Sequence, residues 1–134
     1  LYIETSAVLA WLFGEATAKS AIDDINASDV LVSSELTRIE TIRAIRRAKR
    51  DGQISINEQG DLIDLFEAQI SGWFRMNIDE SVIEAATNDF PEEPVRILDA
   101  IHLASALEFK KLYPGLRILS FDRRIIRNQD ALGM

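Results

Sequence analysis

Four short strand-like stretches, three largely apolar and one alternating, punctuate this chain, each followed by a longer stretch with helical character. They are Leu1–Ile3, Val30–Val32, Trp73–Ile78 and Leu116–Leu119. Strands that alternate with helices predict a mostly parallel sheet covered on both faces, because each crossover lays a helix over the sheet. The helices read as Ala7–Phe13 behind a Thr5 or Ser6 cap, Ala16–Asn26 beyond Gly14, and a long one from Ser33-Ser34 to about Lys49. Ser55-Ile56-Asn57-Glu58 has capping-box spacing and opens another to about Ile70. Asp79 or Ser81 starts a helix containing Val82 and Ile83, and Ile97–Lys110 and Arg123–Ala131 complete the set. Phe90–Pro94 holds two of the three prolines and reads as a surface loop. The expected architecture is a three-layer α/β/α arrangement in one domain over residues 1–134, without repeats or a linker.

Four acidic residues fall at places such a fold brings together. Glu4 follows the first apolar run and Asp122 the last, at the carboxyl ends of strands where open parallel sheets carry their sites. Asp99 sits in Ile97-Leu98-Asp99-Ala100-Ile101, and Glu40 lies about two turns into the third helix. Carboxylates beside buried apolar runs need partners. Gathered without a cation they would repel and raise one another's pKa, so a hard divalent metal is the expected partner. That chemistry points to a phosphate ester.

Charge supports the same target. The net charge of −7 looks wrong for nucleic-acid work until it is mapped. Residues 37–50 carry six basic side chains against Glu40, and residues 117–127 carry four against Asp122. Two basic islands, each holding a candidate acid, can hold a phosphate backbone within an acidic molecule. There is no cysteine, which excludes disulfides and thiolate metal sites and fits a reducing cytoplasm. No apolar run approaches the ~18 residues of a membrane span, and no signal peptide is visible.

Each acid also has a bland reading. Asp122 suits the N-cap of the last helix, and Glu4 suits a helix start. Glu40 is spaced for ion pairs with Arg43 and Arg47 on its own helix. Asp99 has no such structural explanation. Isolated Ser6 and Ser120 fit capping and turn roles, or bonds to metal-site carboxylates. His102, the single histidine, reads as a packed or hydrogen-bonded side chain that a hard-cation site does not need. Leu9, Trp11, Leu12 and Phe13 give the first helix more apolar girth than one face requires, enough for a dimer or partner groove.

Taken in order, these segments resemble the PIN-domain ribonucleases, most closely the VapC toxins of toxin–antitoxin pairs. The resemblance rests on Leu98-Asp99-Ala100-Ile101-His102-Leu103-Ala104, close to the family's DAIHLA stretch, and on Ser120-Phe121-Asp122-Arg123-Arg124, close to its T/S-x-D-R-R/K ending. Tyr2-Ile3-Glu4-Thr5-Ser6-Ala7-Val8-Leu9 matches the opening DTSALL pattern, and Glu40 falls where the family's helix glutamate is expected.

The resemblance implies a metal-dependent endoribonuclease with Mg²⁺ or Mn²⁺ held by Glu4, Asp99 and Asp122, and by Glu40 in support. Water activated by the metal would hydrolyse RNA in line, leaving a 5′-phosphate and a 3′-hydroxyl. Arg43 or Arg47 and Arg123 or Arg124 are the expected phosphate contacts, with Ser6 and Ser120 as supporting hydroxyls. A homodimer and a VapB-like antitoxin, whose basic tail enters the acidic cleft, complete the expectation. One departure stands out: the family's first acid is usually Asp, and here it is Glu4. The extra methylene admits an alternative, a catalytically weakened PIN-like module that binds RNA or protein.

Overall fold

The computed structural model describes residues 1–134. Its sheet has four strands: β1 (Tyr2–Ile3), β2 (Val32–Ser34), β3 (Phe74–Met76) and β4 (Ile118–Leu119). All neighbours are parallel, in the order β3-β2-β1-β4. Seven helices accompany them: α1 (Thr5–Leu12), α2 (Ala18–Asn26), α3 (Glu35–Arg50), α4 (Ile56–Ile70), α5 (Glu80–Ala86), α6 (Ile97–Leu112) and α7 (Arg123–Ala131). No helix is long and apolar enough to cross a membrane.

Strand alternation divides the interior into two layers. Tyr2 and Ile118 face one cluster, with Leu103 and Phe109 of α6 and Ile125 of α7. Their chain neighbours Ile3 and Leu119 face the other, with Ala7 and Val8 of α1, Ile45 of α3 and Phe66 of α4. The period of two is what sends adjacent residues to opposite faces and makes the sheet the middle layer.

Several local readings shift, the fourth strand shortening to Ile118–Leu119 and the second helix starting at Ala18. The first helix begins at Thr5, two residues earlier than its apolar run, because Glu4 is its N-cap and accepts from the Ser6 N–H at 3.0 Å. The second strand runs Val32–Ser34, displaced from Val30–Val32. Polar Ser33 is tolerated at 0% exposure because its hydroxyl donates to the Ile3 carbonyl at 2.7 Å. The third strand is three residues long, the length its neighbour β2 can pair, and Phe74 on it remains 62% exposed. The capping box at Ser55 and Glu58 forms with both bonds present. Of the apolar side chains on α1, Leu12 is in the core and Trp11 packs against it, while Phe13 just beyond the helix stays exposed.

Strand order positions the site. The chain steps outward from β1 to β2 to β3, then returns to place β4 on the free side of β1. The carboxyl ends of β1 and β4 therefore flank the point where the order reverses, and Glu4 and Asp122 follow those ends.

Candidate active site

Glu4 is buried, and it is held through one oxygen. Its Oε2 accepts from the Ser6 N–H, from the Ser6 hydroxyl and from the Ser120 hydroxyl at 2.8 Å. The same two hydroxyls accept from the backbone that leads into α7: Phe121 N–H donates to Ser6 Oγ at 2.8 Å, and Asp122 N–H to Ser120 Oγ at 3.0 Å. Ser6 and Ser120 thus fasten the β1–α1 corner to the β4–α7 corner, with the Glu4 carboxylate between them. Oε1 of Glu4 has no hydrogen bond and lies 3.8 Å from His102 Nε2.

Glu40 reaches the same place from α3. Its Oε2 accepts from the Thr5 hydroxyl and lies 2.8 Å from His102 Nε2. The helix-surface ion pairs with Arg43 and Arg47 do not form; the nearest cationic candidate is the buried imidazole across the site. Burial pushes the Glu40 carboxyl up, but hydrogen bonds from His102 and Thr5, with the field of His102, outweigh it and leave the group below its ordinary value.

Asp99 occupies the first turn of α6 and behaves oppositely. Burial pushes its carboxyl up, Asp122 and then Glu4 add to the rise, and Arg124 opposes it. Its Oδ2 is buried with no hydrogen-bond partner. An orphaned carboxylate oxygen among like charges is the environment a hard cation would relieve. Asp122 is the N-cap of α7, its Oδ1 accepting from the Arg124 N–H at 2.7 Å, while Oδ2 lies 3.6 Å from Arg124 Nη1. Arg124 is therefore engaged with Asp122. Arg123, Arg43 and Arg47 are exposed and make no ion pair within 4.0 Å.

Two cavities open on the acids. One of about 370 Å³ is lined by Thr5, Leu9, Glu40, Arg43, Arg47 and Leu98 among others. The second, of about 590 Å³, runs from Glu40 past Arg96 to Asp99. Glu40 belongs to both, so Glu40 and Asp99 face one space. A further cavity of about 410 Å³ lies at the amino ends of the strands, near Leu1, Val30 and Arg117, and holds none of the four acids.

The structure regroups the expected set. Glu4 and Glu40 meet around His102, one oxygen of each and a ring nitrogen lying within 4.8 Å of one another. Asp99 and Asp122 are not members of that group; the Asp122 charge adds to the rise of the Asp99 carboxyl. His102, read from the sequence as packed or hydrogen-bonded, is both: it is 2% exposed and bonded to Tyr2 and Glu40. Its place between two acids was not foreseen. The signal was there, since His102 follows Asp99 by three residues on one helix face.

Comparison with known proteins bears on the family and the fold. Ribonuclease VapC35 of Mycobacterium tuberculosis, in strains CDC 1551 / Oshkosh and ATCC 25618 / H37Rv, is 27% identical over 136 residues, covering all of this chain and 93% of the relative. The crystal structure of Mycobacterium tuberculosis VapC20, described as a Sarcin-Ricin loop cleaving toxin, superposes with a TM-score of 0.66 at 16% identity, covering 99% of this chain and 95% of that one. The model of the PIN domain matches residues 1–131, a span that takes in every strand and all four acids, and the chain belongs to the PIN-domain family.

Proposed function

We propose that this protein is a metal-dependent endoribonuclease, the toxin of a VapBC-like module. The observation that carries the reading is the buried, unpartnered Oδ2 of Asp99, in the field of Asp122 and Glu4, which follow the two strands at the switch point of a parallel sheet. A structural carboxylate would have a bonding partner there. The name of the VapC35 relative supports the substrate class.

Glu4, Asp99 and Asp122 would hold Mg²⁺ or Mn²⁺, with Glu40 in support. A divalent cation supplies positive charge against phosphate oxygens and acidifies water. The residues do the positioning. Ser6 and Ser120 restrain Glu4, Arg124 and its own backbone N–H restrain Asp122, and the exposed Arg43, Arg47 and Arg123 are free to meet the RNA backbone. A VapB-like antitoxin and a second copy of the chain are partners in the same proposal, supported by apolar Leu9, Leu36 and Ile39 in the cavity beside Glu40.

Removing metal tests the reading directly. Chelator-treated protein is expected to leave a structured RNA intact, and Mn²⁺ to restore cleavage with 5′-phosphate ends. A protein that takes up no Mn²⁺ at millimolar concentration is instead the weakened binding module. A charge test follows from the basic cavity wall. Reversing Arg43 and Arg47 to Glu should weaken RNA binding across sequences and reduce the salt slope by roughly 1 for each phosphate that is no longer neutralised. An unchanged slope removes both arginines from the interface.

A further inference from the structure

His102 is a buried titratable side chain at the site that the proposed reaction leaves without a duty. It is also the most completely bonded. Nδ1 lies 2.9 Å from the Tyr2 hydroxyl, Nε2 lies 2.8 Å from Glu40 Oε2, and the Thr5 hydroxyl is 3.2 Å from Nε2. These partners come from β1, α3 and α1, so the imidazole on α6 joins three other elements.

The chemistry of the partners decides where the ring proton sits. A carboxylate oxygen only accepts, so an Nε2 without hydrogen would set lone pair against lone pair at 2.8 Å. Nε2 therefore carries hydrogen and donates to Glu40. The Tyr2 hydroxyl is fully buried and lies against Nδ1. Its proton has an acceptor in Nδ1 when the ring is neutral. The edge-on arrangement of the two rings, with centroids 6.2 Å apart, fits that hydrogen bond.

We propose that His102 is a positioning residue: Tyr2 fixes its Nε2–H tautomer, and Nε2–H holds Oε2 of Glu40 so that Oε1 of Glu40 is turned outward for a cation. The consequence for catalysis rests on the nuclease reading; the tautomer does not. Although Nε2 lies close enough to Glu4 and Glu40 to be counted as a ligand beside them, a nitrogen that donates hydrogen has no lone pair for a metal. Glu4 is held in the same manner, through Oε2 with Oε1 left unbonded. Both glutamates are thus restrained by one oxygen each before any cation arrives. Fixing an acidic ligand through an outer hydrogen bond typically governs affinity by about 10–100-fold.

Having a single histidine makes the test clean. Long-range proton–nitrogen NMR of the ring, at mildly alkaline pH, is expected to show hydrogen on Nε2 and a bare Nδ1, both metal-free and with Mg²⁺. A neutral ring protonated at Nδ1 in either state overturns the proposal, because it leaves Nε2 bare and open to a cation. Mn²⁺ titration then reads the consequence without any RNA. His102→Leu should weaken Mn²⁺ binding about 10–100-fold, and His102→Gln, which keeps an N–H near the same place, should recover it. Equal losses in both variants, with melting curves showing both folded, overturn the role. If the tautomer and the affinity pattern hold but no RNA is cleaved, the nuclease reading fails and the positioning stands.

Discussion

Asp99→Asn is expected to lower RNA cleavage by a factor of about 10³ or more while raising the melting temperature of the metal-free protein. Asparagine keeps the shape of the side chain and removes its charge. Without a cation that charge is a burden: burial raises the Asp99 pKa, and Asp122 and Glu4 raise it further against the opposing field of Arg124. A carboxyl whose folded pKa lies above its unfolded value costs no stability in acid, where both states are protonated. The cost appears as pH rises through the unfolded value and is complete above the folded one. The variant's advantage should therefore be full at neutral pH and vanish below about pH 4. Its size is modest, about 1 kcal/mol or less, because the group is partly open to water and screened. That corresponds to a rise of at most roughly 6 °C for a chain of this length. Saturating Mn²⁺ should reverse the order, since it stabilises only the protein that binds it. Scanning calorimetry across pH, with and without Mn²⁺, reads all three effects. Undiminished cleavage by Asp99→Asn would remove this residue from the mechanism.

Those opposing effects explain which parts of the molecule could be read in advance. The alternation of apolar runs with helices was legible because both faces of the sheet are covered, as Tyr2 and Ile3 show by entering different cores. Strand order was not legible, because strands of two or three residues carry too little pattern to set their neighbours. The acids at 4 and 122 were placed correctly at strand ends because a chain leaving a parallel strand must emerge at that edge. Glu40 was harder. Helical spacing offered it Arg43 and Arg47, but exposed ion pairs gain little over water. A buried imidazole needs an acceptor, and it takes the carboxylate instead. That preference depends on a partner 62 residues away in the chain, which no local pattern records. The cap of α1 escaped for a related reason. Thr5 and Ser6 are common caps, yet Glu4 serves because Ser6 and Ser120 steady its longer side chain.

The same restraint makes Glu4→Ala the most damaging single change expected for the fold at this site. Truncation removes the N-cap of α1, worth about 1 kcal/mol. It also strips the shared acceptor from Ser6 N–H, Ser6 Oγ and Ser120 Oγ, in a place where Ser120 is 7% exposed. Buried donors left unpaired cost about 1–3 kcal/mol. The combined loss is about 2–4 kcal/mol, a fall in melting temperature on the order of 10 °C. Glu4→Gln separates the two duties of the residue. Its amide oxygen can still accept from the serines, so most of the stability should return, but its neutral head cannot offset a cation and Mn²⁺ binding should remain weak. Glu4→Asp tests the additional methylene. The shorter side chain carries the family's usual charge but withdraws from Ser120 by about 1.5 Å, the length of one C–C bond. It should therefore melt below the parent even where it binds Mn²⁺. If Glu4→Ala melts within a degree of the parent, the carboxylate does not join the two corners, and the serines must find their partners elsewhere.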